Sequence, residues 1–430
     1  MIALLNVAIA LLAGLMMTRL FNKWHLPDVT AFLVSGVLIG PFCLGRLNVP
    51  GLGFPTYDDV AALGVLSNVA MGFIAFAIGN EFRLDSLKKT GRAALIIGVV
   101  QSVVASVLVD LALLLFHLAR PDLLSAPAAI TLGAIAAATA PAATLMVVRQ
   151  YKAHGELTGL LLPIVALDDA VGLIVFAVSF GVARALKSGE VSLLSILVEP
   201  VVEIICSLLL GAAAGFLLTK LETMFHSNTN RTSMTIAFVL LTVALSSIKF
   251  SIGGLQVGFS PLLVCMMLGS LFCNISPLSD DLMNRADRWS RPLLAVFFVI
   301  SGAELQLEVF GEPMLVLIGA VYILARSLGK YFGAYGSARL TGCSKNVVKH
   351  LGITLLSQAG VALGMCVTAQ ALGSEDGVLV RNISLFSVLI YELVGPLMTK
   401  EALKAAGEIT ADSVDRRNTA EKDDSKGNAT

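Results

Sequence analysis

Apolar runs, each about as long as a bilayer is thick, follow one another along this chain, separated by short charged or Gly/Pro-rich breaks. A helix needs about 20 apolar residues to cross the hydrocarbon core. The breaks divide the chain into thirteen such segments, near 2–20, 27–45, 60–81, 93–117, 125–148, 157–184, 193–219, 233–250, 252–274, 290–308, 313–338, 346–372 and 381–401. No soluble core needs thirteen runs of this kind. The pattern predicts an all-α polytopic membrane protein, because hydrocarbon offers no partner to a backbone N–H or C=O and a helix satisfies its own. The break at Gly253-Gly254 sets the eighth segment apart from the ninth. The first segment lacks a basic n-region and an A-x-A cleavage site, so it reads as a retained span and not as a removed signal peptide.

Loop charge then predicts orientation. Sixteen Lys and Arg lie in or beside the loops after odd-numbered segments, among them Arg83, Lys88, Lys89 and Arg92 after the third, against six after even-numbered ones. Positive residues stay in the cytoplasm, which places the N-terminus outside and the C-terminus inside. From 403 to 430 the chain is polar and charged and reads as a disordered cytoplasmic tail. Only 14% of the 430 residues are charged, against roughly 25% in soluble proteins. Lys plus Arg equals Asp plus Glu at 30 each, so no overall field points to nucleic acid. The six cysteines (43, 206, 265, 273, 343 and 366) have no CxxC or CxxH spacing and read as small packing residues.

Against this apolar background the polar exceptions carry the chemistry. Asp168 and Asp169 sit side by side inside the run Leu160-Leu-Leu-Pro-Ile-Val-Ala-Leu-Asp-Asp-Ala-Val-Gly. Each costs roughly 2.5 to 3.5 kcal/mol to insert at mid-membrane, which makes an intramembrane acid a functional residue by default. In the fifth segment, Thr139-Ala-Pro-Ala-Ala-Thr144 interrupts the helix: Pro141 has no N–H, and its ring crowds the carbonyl four residues back. The twelfth segment is weakened correspondingly at Ser357-Gln-Ala-Gly-Val-Ala-Leu-Gly364. Paired interruptions point to a transport site at a repeat interface. The segments divide as six, one and six, giving repeat one (1–186), a linker helix (192–222) and repeat two (233–402); a single linker inverts the second unit. Thr139, Pro141, Gln358 and Gly360 fall in the fifth segment of their units, and Asp168, Asp169 and Glu392 in the sixth.

Two cations stand in the eleventh segment, Arg326 and Lys330, four residues apart and so on one helical face. Each needs a counter-charge in the membrane. The expected pairs are Lys330 with one of the two aspartates and Arg326 with Glu81 or Glu392. Glu304 lies near a segment end, and Asp110, Glu199 and Glu203 have no evident partner. Adjacent helical residues point about 100° apart, so one aspartate can face a cation while the other faces Lys330. Two acids so close oppose each other's ionisation, and protons can then compete with a metal cation for the same oxygens.

These residues resemble the monovalent cation:proton antiporter (sodium/hydrogen exchanger) family, in its bacterial branch with paired aspartates, the cation:proton antiporter-2 type. The resemblance covers roughly residues 5 to 400. It rests on Phe32-Leu-Val-Ser-Gly-Val-Leu-Ile-Gly-Pro41, Gly72-Phe-Ile-Ala-Phe-Ala-Ile-Gly-Asn-Glu81 with Leu84-Asp85, Leu167-Asp-Asp169, Pro292-Leu-Leu-Ala-Val-Phe-Phe-Val-Ile-Ser-Gly302, and Lys330. It implies the sodium/proton antiporter fold, with interrupted helices crossing in a core domain that moves like an elevator against a dimerisation domain. It also implies a homodimer in lipid at the bacterial inner membrane, serving pH homeostasis. Asp169 would be the direct ligand of transported Na+ and the proton carrier, Asp168 would pair with Lys330, and Thr139 with nearby carbonyls would complete the cation shell. Paired aspartates with the lysine imply two protons per sodium and hence electrogenic exchange. Ala140 beside Pro141 departs from the polar residue that relatives often have at this crossing and leaves fewer side-chain ligands.

A potassium/proton antiporter of the same fold is the alternative. An intramembrane aspartyl protease needs facing acids on two helices, and a cation channel needs a filter or acid ring; neither pattern is present. An organic-anion transporter is disfavoured by the acids. His25, His117, His154, His226 and His350 all lie near segment ends, so no haem or zinc enzyme is supported. The expected partners are the cation, protons, membrane lipids and a second copy of the chain, with no cofactor and no nucleic acid.

Overall fold

A computed structural model describes residues 2–409 except 22, 24–27, 50, 141–143, 145–146, 149–150, 189–192, 249, 253–254, 306–310, 312 and 359. The side chains of 2, 81, 86–90, 162, 166, 169–170, 188, 193–200, 250–252, 255–257 and 374 also lie outside the description. The α-helices among the described residues are α1 (Ile2–Phe21), α2 (Asp28–Ile39), α3 (Tyr57–Ala61), α4 (Gly64–Gly79), α5 (Leu84–Ala119), α6 (Ala126–Ala136), α7 (Glu156–Ser188) and α8 (Leu193–Glu222), followed by α9 (Asn228–Ser246), α10 (Pro261–Ile275), α11 (Ser279–Ala303), α12 (Pro313–Leu340), α13 (Lys345–Thr354), α14 (Gly360–Ala369) and α15 (Ser374–Ala405). Six helical stretches, within α1, α5, α8, α12 and α15 and from Asp28 to Leu47, are long and apolar enough to cross a bilayer. Large apolar side chains such as Leu115, Leu118, Leu209 and Leu324 are exposed on them, which suits lipid and would be costly in water.

Two details depart from the sequence reading. Helix does not resume at 252: Phe250–Ile252 (β1) and Leu255–Val257 (β2) form an antiparallel ribbon, and α10 starts only at Pro261 behind a Ser260 N-cap. At the other end the fold runs past 403. Leu403 is fully buried, Ile409 nearly so, and both pack with Leu157 and Leu161 of α7. Two apolar residues in a polar stretch are too few to register as a pattern, yet they dock it. Glu408 completes the anchorage by accepting from the N–H groups of Leu157 (2.6 Å) and Thr158 (2.8 Å) and from the Thr158 hydroxyl (2.6 Å). It thereby caps the first turn of α7, whose free N–H groups attract an anion. Residues 410–430 lie outside the described residues.

The helices pack as two groups. One holds α5, α6, α7, α12, α13, α14 and α15, called here the site bundle; α1, α2, α4, α8, α9, α10 and α11 form the flanking bundle. Lipid provides no hydrophobic drive between helices, so small residues that allow close approach decide the contacts. A Cβ on Gly329 of α12 would stand 2.6 Å from Ala105 Cα of α5, and one on Gly333 would stand 2.8 Å from Gln101 Cα. This G-x-x-x-G face seats α12 on α5. The flanking bundle uses reciprocal pairs, Gly36 of α2 with Gly302 of α11 and Gly79 of α4 with Gly269 of α10, each glycine lying against the backbone of the opposite helix. Gly91 alone breaks α5, at φ 79°, a conformation that needs glycine.

Candidate ion-binding site at the helix crossing

The two interruptions meet. Helix α6 ends at Ala136, residues 138–140 are not helical, and α13 ends at Thr354, with 356–358 likewise non-helical before α14 begins at Gly360. The Ala140 N–H donates to the Ser357 carbonyl at 2.9 Å, so the two non-helical stretches hydrogen-bond where they cross. Gln358 holds the junction from the side: its amide donates to the Ile135 carbonyl at 2.9 Å and to the Tyr322 hydroxyl at 3.1 Å, while its carbonyl accepts from Ser387 at 3.1 Å. Pro141 lies outside the described residues.

Both broken helices aim their C-terminal, carbonyl ends at this point, and each such end carries roughly half a negative charge. Arg326 of α12 answers it. Fully buried, its guanidinium donates to Ala136 O (3.1 Å), Ala138 O (2.7 Å), Leu356 O (2.7 Å) and Ser357 O (3.4 Å), and it lies 4.4 Å from the centre of the Tyr391 ring. A planar fork with five donors can bridge two chains in this way. The expected pairing of Arg326 with Glu392 is therefore corrected, and the alternative with Glu81 falls on a side chain outside the description. Among the described residues no carboxylate pairs with Arg326, because freed carbonyls supply the negative charge, and Glu392 faces α2 instead.

One turn along α12, Lys330 reaches the crossing and α7 together. Its ammonium donates to Asp168 at 2.7 Å, to the Thr139 hydroxyl at 2.8 Å and to the Ala137 carbonyl at 2.5 Å. Asp168 and Lys330 are both fully buried. Asp168 accepts further hydrogen bonds from Gln101 and Ser102 of α5, and Thr139 donates to Leu355 O at 3.4 Å. The structure thus brings together Asp168, Thr139, Lys330, Gln358 and the start of α14 at Gly360. Asp169 follows on α7, with its side chain outside the description. A buried ion pair of this kind tolerates loss of a partner poorly, so whatever takes the carboxylate must compete with the ammonium.

Sequence reasoning missed Gln101, Ser102 and Tyr391. Gln101-Ser102 is a polar dipeptide in the middle of an apolar run, a signal of the same kind as the aspartates; Tyr391 offered none. The other acids stand apart. Glu304 lies 3.9 Å from Arg381, and Glu203 of α8 lies 3.4 Å from Arg184 of α7. Asp110 packs beside Gly133 of α6, and the Glu199 side chain lies outside the description.

Comparison with known proteins places this arrangement. The family model for the transmembrane sodium/hydrogen exchanger matches residues 7–405. The Na(+)/H(+) antiporter NhaS4 of Synechocystis sp. is 24% identical over 93% of this chain and 97% of its own length. The Na(+)/H(+) antiporter 1 of Methanocaldococcus jannaschii is 23% identical over 78% and 77%. The structure of the sodium proton antiporter MjNhaP1 from the same archaeon, at pH 8, superposes with a TM-score of 0.73 at 18% identity, over 94% of this chain and 99% of that one. The fold is shared with it.

Proposed function

The chain belongs to the sodium/hydrogen exchanger family, a multi-pass membrane transporter and not an enzyme, and from that premise we propose that it exchanges sodium for protons at the helix crossing. The single observation that carries this reading is the buried Lys330–Asp168 pair, 2.7 Å long, set on the Thr139 hydroxyl and the Ala137 carbonyl. A cation arriving at Asp169 would compete for these hard oxygen ligands, which suit Na+, and would draw Asp168 away from Lys330. The freed ammonium, left in low dielectric, then favours loss of its proton. Two protons, one on an aspartate and one on Lys330, leaving against one sodium make the exchange electrogenic.

The wider reading has thirteen crossings in two inverted repeats, and the site bundle moves as an elevator against a flanking bundle that dimerises in a bacterial inner membrane with the C-terminus in the cytoplasm. A cavity of about 400 Å³ supports relative movement, because it is lined from both bundles, by Phe176 and Phe180 of α7 on one side and Ser246 and Ser260 on the other. Potassium in place of sodium is the second reading, favoured by the absence of a side-chain ligand at Ala140 on the crossing. The test is dissipation of a pH gradient in inside-out vesicles by sodium, lithium or potassium. Asp169→Asn is expected to abolish it; undiminished exchange would sink the assignment.

A further inference from the structure

Glu392 of α15 is a buried acid that the crossing does not use. It is 1% exposed. Its one described hydrogen bond is long, from the Thr30 hydroxyl of α2 to Oε2 at 3.4 Å, and Oε1 has no hydrogen-bond partner among the described residues. That bond crosses the seam between the bundles, since α15 belongs to the site bundle and α2 to the flanking one. The position is also close to the crossing: the preceding residue, Tyr391, lies under Arg326, and a Cβ on Gly395, three residues on, would meet Ser357.

Among the described residues no counter-charge is at hand. Of the elements packed against α15, α6 has no titratable side chain, and α2 has only Asp28, which is exposed. On α12, Arg326 is held by four carbonyls and Lys330 by Asp168. Tyr322 is engaged with Gln358, and Tyr331, Tyr335 and Arg339 complete that helix. Helix α13 offers Lys345 and Lys349, both exposed, and His350, whose Nδ1 lies 3.0 Å from the Asn346 carbonyl; α14 offers Cys366. On α15 itself the Tyr391 hydroxyl meets Ile323 O and Ser327, Arg381 faces Glu304, Asp376 faces Lys187, and Lys400 lies beside Glu401; Glu375 stands near the start of the helix and Lys404 near its end. An ionised carboxylate in such a place has neither a cation nor enough donors, whereas a neutral carboxyl is at home there.

We propose that Glu392 is a second proton-binding site of this protein, separate from the crossing and seated on the seam, protonated while the bundles sit as they do here and deprotonated when the seam admits water. This rests on the antiporter reading for its consequence: seam movement, and with it the exchange rate, follows the proton on Glu392. The step is a proton transfer between the carboxyl and water, with nothing else consumed.

Infrared difference spectroscopy on the full chain in H2O and D2O reads a buried protonated carboxyl as a deuterium-sensitive C=O stretch. The band is expected at neutral pH in the wild type and lost in Glu392→Gln; its persistence in that variant overturns the proposal. In vesicles, Glu392→Gln keeps sodium-driven exchange but loses one inflection of its pH profile. Thr30→Val, which keeps the acid and removes the donor to its ionised form, shifts that inflection toward alkaline pH by up to about one unit, a tenfold change in proton concentration. This variant also serves if Glu392→Gln does not fold. Profiles superimposable on the wild type overturn the proposal. A wild type without sodium-driven exchange would remove the antiporter reading and leave the infrared test of the proton site standing.

Discussion

Two cations one turn apart on α12 do different work, and the difference lies in their head groups. Lys330 concentrates its charge on one nitrogen that can lose a proton, and it meets Asp168 at 2.7 Å. Arg326 spreads its charge over a fork and meets four carbonyls. Arg326→Gln, with two donors in place of the fork, loses at least two of these four hydrogen bonds, and hydrogen bonds to a charged donor are worth roughly 1.5 to 3 kcal/mol. The expected loss is about 3 kcal/mol or more, visible as a lower unfolding temperature in detergent. Arg326→Lys should recover only part of it, because three donors on one nitrogen cannot span both chains. Lys330→Ala tests the other role. With the membrane potential clamped at different values, exchange is expected to persist in that variant and to lose its voltage dependence; an unchanged dependence removes Lys330 as a proton carrier.

At the scale of elements, the site exists because helices stop in the right places and lie close enough. Helices α6 and α13 each end before the crossing, while α12 delivers both cations by pressing Gly329 and Gly333 onto α5. Gly333→Leu should therefore push α12 outward and separate Lys330 from Asp168, lowering both stability and exchange. Gly336→Ala, where a Cβ would meet nothing within 4 Å, is the control that should leave both unchanged. The apolar segments and the polar interruptions within them were legible in the sequence, because bilayer burial acts on composition over about 20 residues. The ribbon at 250–257 and the docking of 403–409 were not, because they depend on single contacts, such as Glu408 with the start of α7, that leave no pattern.

The whole molecule is two bundles with a seam, and the seam is where transport would be felt. Arg184 of α7 and Glu203 of α8 pair across it at 3.4 Å beside the cavity, and Thr30 with Glu392 bridges it elsewhere. If the site bundle slides, tying the bundles together should stop exchange. In a background with the six native cysteines replaced, the double variant Arg184→Cys with Glu203→Cys is expected to be active as made, blocked by a reducible bifunctional thiol cross-linker and restored by reductant; full activity in the cross-linked state would rule out sliding at this seam. Arg184→Cys alone and Glu203→Cys alone in that background should be insensitive to the cross-linker.

Sequence alone established the solvent, most of the helices and the chemistry on offer: a lipid-embedded helical chain whose few ionisable residues inside apolar runs include Asp168, Asp169, Arg326, Lys330 and Glu392. It also marked the two breaks at Thr139–Pro141 and Ser357–Gly360. Those properties follow from the local cost of placing a polar group in hydrocarbon, which any segment reveals alone. Tertiary structure decided the partners. It gave Lys330 to Asp168, gave Arg326 to backbone carbonyls rather than to an acid, brought Gln101 and Ser102 to Asp168, and left Glu392 on the seam with Thr30. A buried charge accepts whatever complement packing brings within about 3 Å. Which complement that is depends on glycine-mediated approach between helices far apart in sequence, a distance that no local pattern encodes.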